Sequence, residues 1–147
     1  MTNRILFLDI DGVLNTDDSR ANGVLLINDK LTMLNTLCNE VNCNIVISSS
    51  WKIFHNLQEL KDILGYAGFV SKMRIIDVTP DSIATNNWER GYEIEQWLHH
   101  QTEEYNYAIV DDMDGMLDHQ LCRYVQTDGK HGLTNTDIDR LKDIFNV

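Results

Sequence analysis

At 147 residues with 43% apolar content, the chain is long enough to bury one core without disulfide or metal staples. Its 23 acidic and 12 basic residues leave a net charge of −11, which disfavours extensive contact with duplex nucleic acid. A small phosphorylated group remains admissible wherever a few cations are concentrated. No apolar run approaches the ~20 residues of a membrane span, and Asp9 interrupts the short run after Arg4. One cytoplasmic domain over residues 1–147, with no membrane partner, is therefore expected.

In chain order, the first strand is expected at Arg4–Asp9, ending on Asp9-Ile10-Asp11-Gly12. Asn15–Ile27 is polar and then apolar, which suits a flap or a short hairpin. Asn28–Val41 carries Leu31, Leu34, Cys38 and Val41 at helical spacing. Asn44–Ser48 is a second apolar strand and runs into Ser48-Ser49-Ser50. Trp51–Leu64 has Phe54, Leu57, Leu60 and Leu64 on one helical face, and Arg74–Val78 is the plausible strand within Gly65–Asn87. Arg90–Glu103 is helical, Tyr107–Asp111 is an apolar strand leading into Asp111-Asp112, and Leu121–Gln126 is a last strand. Thr134–Phe145 closes the chain as a helix, with Thr134 and Asp137 set as a capping box. The alternation indicates an α/β fold with a mostly parallel sheet. The cysteines Cys38, Cys43 and Cys122 lie in apolar-patterned segments and read as reduced, buried residues. The five histidines share no ligand spacing and read as surface or satisfied polar groups.

In a parallel α/β sheet, ligands bind beyond the carboxyl ends of the strands. Those ends collect Asp9 and Asp11, the three serines, and Asp111 and Asp112, with Arg90 opening the helix before the fourth strand. Four carboxylates cannot share one small site as bare anions. A hard divalent cation resolves the conflict, because Mg²⁺ takes carboxylate and phosphate oxygens together. Hydroxyls and an arginine suit the remaining phosphate oxygens. The constellation reads as a site for Mg²⁺ and a phosphorylated substrate.

Four motifs in this order resemble the haloacid dehalogenase (HAD) superfamily of phosphohydrolases. "LFLDIDGVL" is similar to its first motif, "IVISSSW" to its second, Arg90 in "WERGYEIEQWL" to its third and "YAIVDDMD" to its fourth. The wording also resembles a narrower group, the HAD domains associated with RNA-repair proteins. The resemblance implies a Rossmann-like three-layer sandwich and a Mg²⁺-dependent phosphatase acting through an aspartyl-phosphate. It makes Asp9 the nucleophile and Asp11 the general acid/base, with Asp11 also offering its main-chain carbonyl to the metal. Ser48 and Ser49 would bind phosphate together with Arg90. Asp112 would ligate the metal, and Asp111 would orient water on it. Lys72 and Lys61 compete with Arg90 for the cation's role, the serine register is open by one residue, and Asp114 or Asp118 could join the metal.

Some residues keep two readings. Ser50 can cap the following helix while Ser48 binds phosphate. Arg90 can pair with Glu93 on its own helix. Trp51 can stack on a substrate ring or pack beside the site, Trp88 can line substrate access, and Lys130 is a weaker substrate contact. Too little chain separates the motifs for a folded cap domain, so an open site is expected. That suits a nucleotide or a nucleic acid terminal phosphate, with nucleic acid repair as the setting. The competing readings are a phospho-acceptor signalling domain and a non-catalytic HAD-like interaction module.

Overall fold

The computed structural model describes residues 2–81 and 89–147. The expected α/β architecture is present: five strands form one parallel sheet in the order β3-β2-β1-β4-β5. In chain order these are β1 (Arg4–Leu8), α1 (Asp17–Ala21), α2 (Asn28–Val41), β2 (Asn44–Ile47), α3 (Leu57–Ala67), β3 (Ile75–Val78), α4 (Arg90–His99), β4 (Asn106–Asp111), β5 (Tyr124–Gln126) and α5 (Asn135–Ile144).

Each central strand divides its side chains between two cores, as a strand's twofold periodicity requires. Leu6, Leu8, Ile45, Ile47, Ala108 and Val110 face the layer of α2, α3 and α5. Ile5, Phe7, Val46 and Ile109 face α4 through Ile94 and Trp97. Phe7 meets Trp97 edge to face at 5.5 Å between centroids, and the Trp97 indole N–H donates to Asp77 at 2.8 Å. Burial on both faces explains why β1, β2 and β4 read as continuous apolar runs. Among the described residues, no helix is long and apolar enough to cross a membrane.

Several boundaries differ from the sequence reading. Asn15–Ile27 contains no hairpin. Thr16 caps the short α1 in a reciprocal capping box with Ser19, and an irregular return leads to α2. Trp51–Leu64 is broken in two: Ser50–Ile53 forms a 3-10 turn, and α3 begins only after Asn56, which caps it in a box with Glu59. That box starts the helix afresh, and the apolar periodicity across Phe54 and Leu57 conceals the break. The fourth helix stops at His99 instead of Glu103. Residues Asp118–Arg123 form a 3-10 turn, so the last strand begins at Tyr124 instead of Leu121. Cys38 and Cys43 are buried as expected, whereas Cys122 is exposed on that turn. At α5 the Thr134–Asp137 capping box forms as read.

Candidate active site

The strand register brings the site together. Leu8 lies beside Ile47 on one side and Val110 on the other, so the next residues, Asp9, Ser48 and Asp111, emerge in one row. The ladder continues one step further: the Asp9 amide donates to Val110 at 3.1 Å and the Ser48 amide to Leu8 at 2.8 Å. Asp9, Ser48, Ser49 and Asp111 are all buried. One carboxylate oxygen from each of Asp9, Asp111 and Asp112 falls within 4.8 Å of the others.

Arg90 is the cation that reaches this row. Its Nη1 donates to Asp111 Oδ2 at 3.0 Å, lies 3.1 Å from Asp9 Oδ1, and bonds the Ser48 carbonyl. The residue that follows fixes its position. A Cβ on Gly91 would come within 2.6 Å of the Gln120 side chain and 2.8 Å of the Leu117 amide. The bare glycine lets the first turn of α4 press against the 115–120 loop, where Gln120 donates to the Gly91 carbonyl at 2.9 Å. Of the competing cations, Lys72 stands at the amino end of β3 and pairs with Asp62 at 3.3 Å, and Lys61 is half-buried on α3. Glu93, read as an alternative partner for Arg90, forms a buried ion pair with Lys52 at 2.8 Å.

The electrostatics follow from burial. Burial raises the Asp9 carboxyl well above the usual carboxylate range, Asp111 raises it further, and Arg90 opposes both. Burial also raises Asp111, against Arg90 and an N–H from Met113. Burial works against the Arg90 charge, yet Asp111 and then Asp9 hold its pKa above the ordinary value. Two acids and one guanidinium leave the row one positive charge short, before Asp112 is counted.

The sequence profile of the HAD domain in Swiss Army Knife RNA repair proteins matches residues 5–138. The chain belongs to this family. Membership points to phosphohydrolase-type chemistry in an RNA-repair setting. No curated protein and no solved structure matches the chain.

The remaining motif residues of this HAD domain surround the row. Gly12 adopts φ +80, and a Cβ there would lie 2.2 Å from Asp112 Oδ2, so only glycine admits Asp112 at this distance. The Thr127 hydroxyl donates to the Gly12 carbonyl at 2.7 Å and ties the turn to the end of β5. The Asp11 carboxylate stands outside the three-acid group and accepts from Asn15 Nδ2 at 2.9 Å. Asn15 is completely buried; its Oδ1 accepts from the Gly12 amide at 2.8 Å, and its Nδ2 also reaches the Leu25 carbonyl at 2.8 Å. Ser49, not Ser50, caps the 3-10 turn, accepting from the Trp51 amide at 3.2 Å. Asp114 and Asp118 are exposed and outside the acid cluster. Trp51 packs against the core and lines an open groove beside Asp11. Lys130 lies in the turn after β5, its amide donating to Asp128 at 2.9 Å. Trp88 lies outside the described residues.

The sequence reading missed Asn15, Thr127 and the Lys52–Glu93 pair. Asn15 had a local signal, four residues after Asp11 in the same turn. The other contacts join residues far apart in the chain and become visible only once the strands are aligned.

Proposed function

We propose that the chain is a Mg²⁺-dependent phosphomonoesterase that forms an aspartyl-phosphate on Asp9 and acts on a nucleotide or a nucleic acid terminal phosphate. The observation that carries the reading is Ser48 Oγ. It is buried without a hydrogen-bond partner, in the same row as Asp9 and Asp111. A buried hydroxyl costs stability unless something accepts from it or donates to it. An oxygen of a phosphoryl group held against Asp9 would supply that partner.

The donor set fits Mg²⁺: three carboxylates with hard oxygen atoms, too many for Arg90 to neutralise alone. Asp9, Asp111 and Asp112, with the Asp11 main-chain carbonyl, are the residues that would hold the ion. When bound, Mg²⁺ supplies Lewis-acid polarisation and charge neutralisation at the phosphoryl group.

The chain's own residues do the rest. Asp9 is anionic in the working state and attacks phosphorus in line, so no general base is needed to activate it. Ile10 N–H donates to Asp9 Oδ1 at 2.8 Å and fixes the orientation of the nucleophile. Asp11 gives its proton to the leaving oxygen and then takes one from the water that opens the intermediate. Asn15 fixes the orientation of that carboxyl, and Arg90 and the Ser48 hydroxyl stabilise the phosphoryl oxygens. The aspartate on the first strand, instead of the third, disfavours the signalling-domain reading.

Phosphate release from phosphomonoesters, including oligonucleotides with 3′- and 5′-phosphates, is expected with Mg²⁺ and is expected to vanish with chelator. Release that persists undiminished in chelator, or no release from any ester, would sink the proposal. Ser48→Ala is expected to leave the melting temperature unchanged or slightly higher, because it deletes an unsatisfied buried group. Its turnover should fall about 10- to 100-fold, the value of one hydrogen bond to a charged group. Comparing the two readouts separates a ligand-directed hydroxyl from a structural one.

A further inference from the structure

Beside the acid row lies an open groove of about 630 Å³, lined by Asp11, Trp51, Phe54, His55 and Tyr66 among others. Three elements build it: the return after α1, the 3-10 turn after β2, and α3. Its coupling to the row is direct. The Asn15 amide that holds the Asp11 carboxylate also holds the backbone of Leu25, a wall residue. The Trp51 amide donates to Ser49 at 3.2 Å, so the turn that ends the phosphate-side serines also carries the first ring.

The rings are presented, not packed away. Tyr66 is 98% exposed and Phe54 81% exposed, while their helix and turn bury Leu60, Leu64 and part of Trp51 in the core. Single exposed apolar residues need no explanation, but several gathered around a cavity that also takes in Asp11 do. Among the described residues, no lysine or arginine lines the groove, and Asp11 is its one charged lining group. The wall therefore favours an uncharged, largely apolar occupant, with any phosphate held beside Asp11. A tract of phosphodiester backbone would need cations that this wall does not offer.

We infer that the groove is the binding site for the nucleobase of the leaving nucleoside, stacked on Trp51, Phe54 and Tyr66 and reading one terminal nucleotide instead of a strand. This rests on the phosphatase reading for the position of the phosphate at Asp9 and Asp11. It adds the substrate class, a nucleoside monophosphate or a single frayed end, and the residues that select it. His55 and Ser50 add polar side chains to the lining.

The test compares kcat/KM for adenosine monophosphates (3′ and 5′) with that for glycerol 2-phosphate, in the native chain and in Phe54→Ala and Tyr66→Ala. Both rings are highly exposed, so the variants are expected to fold. The native chain is expected to prefer one of the nucleotides, and each variant to lower that preference roughly 5- to 100-fold, mainly through KM. An unchanged preference ratio overturns the inference. So does a native dimer that both variants convert to a monomer, because a second copy would then cover the groove. A parallel titration of Asp9→Asn with the same nucleotides, followed by NMR shifts, separates the two readings. Nucleotide binding weakened by Tyr66→Ala with no turnover of any ester would keep the groove and defeat the phosphatase. Turnover with no preference for nucleotides would do the reverse.

Discussion

Asp9→Asn is expected to lower turnover by about 10³-fold or more and, in chelator, to raise the melting temperature of the same protein. The first effect follows from replacing a carboxylate nucleophile by an amide that cannot form the acyl phosphate. The second follows from the charge balance of the row. Asn keeps an Oδ1 to accept from Ile10 N–H and to face Arg90, and its Nδ2 can donate towards Asp111. What it removes is a buried anion beside another buried anion. The native Asp9 carboxyl is raised by burial first and by Asp111 second. Between the ordinary carboxylate value of the unfolded chain and the raised native value, the native state binds more protons. Stability is therefore fully present below about pH 4 and lost as pH rises through the native value. Thermal melts of the metal-free protein should show this loss on raising the pH from 4 to 7, and Asp9→Asn should flatten it. Mg²⁺ should raise the native melting temperature more than that of the variant, since it binds the folded state through the removed charge. A variant that is less stable at every pH would mean that Asp9 is held by favourable partners, contrary to this balance.

The legible parts of the sequence were those fixed by local pattern. Ile5–Leu8, Ile45–Ile47 and Ala108–Val110 are apolar because both faces of their strands are covered, and the polar residue that ends each run marks the open end of the sheet. Asp9, Ser48 and Asp111 could thus be grouped from sequence, and the register aligns them. Features set by long-range contact were not legible. Arg90 competed with Lys72 and Lys61 because sequence spacing says nothing about which cation reaches the row; the close seat of Gly91 against the 115–120 loop decides it. The break between the 3-10 turn and α3 was hidden because Phe54 sits at helical spacing from Leu57 yet points to solvent at the rim of the groove. Asp9 and Asp11, paired by their spacing, have different settings. One is buried against Arg90, and the other is half-exposed and held by Asn15.

Arg90→Met should cost about 3–5 kcal/mol of stability, roughly 10 °C in melting temperature for a chain of this size, and abolish measurable turnover. The loss is larger than that of a surface ion pair because both partners are buried and would be left uncompensated. The Asp111 side chain is 1% exposed and that of Asp9 5%. Without the guanidinium, burial and mutual repulsion would act unopposed on both carboxyls, so the variant's stability should depend more steeply on pH. Arg90→Lys makes the sharper comparison. The three contacts, to Ser48 O, Asp9 Oδ1 and Asp111 Oδ2, all converge on the single atom Nη1. An ammonium has three donors and can in principle serve three acceptors from one point. Its stem is shorter than that of arginine, however, and Gly91 holds the first turn of α4 too tightly for the helix to advance. The lysine variant should therefore recover part of the stability and part of the turnover, with both falling between native and Arg90→Met. If Arg90→Lys matches the methionine variant, the shorter stem cannot bring its ammonium to the row, and the reach of arginine is required. If it matches the native chain, the helix can move, and the seat of Gly91 does not set the reach of residue 90.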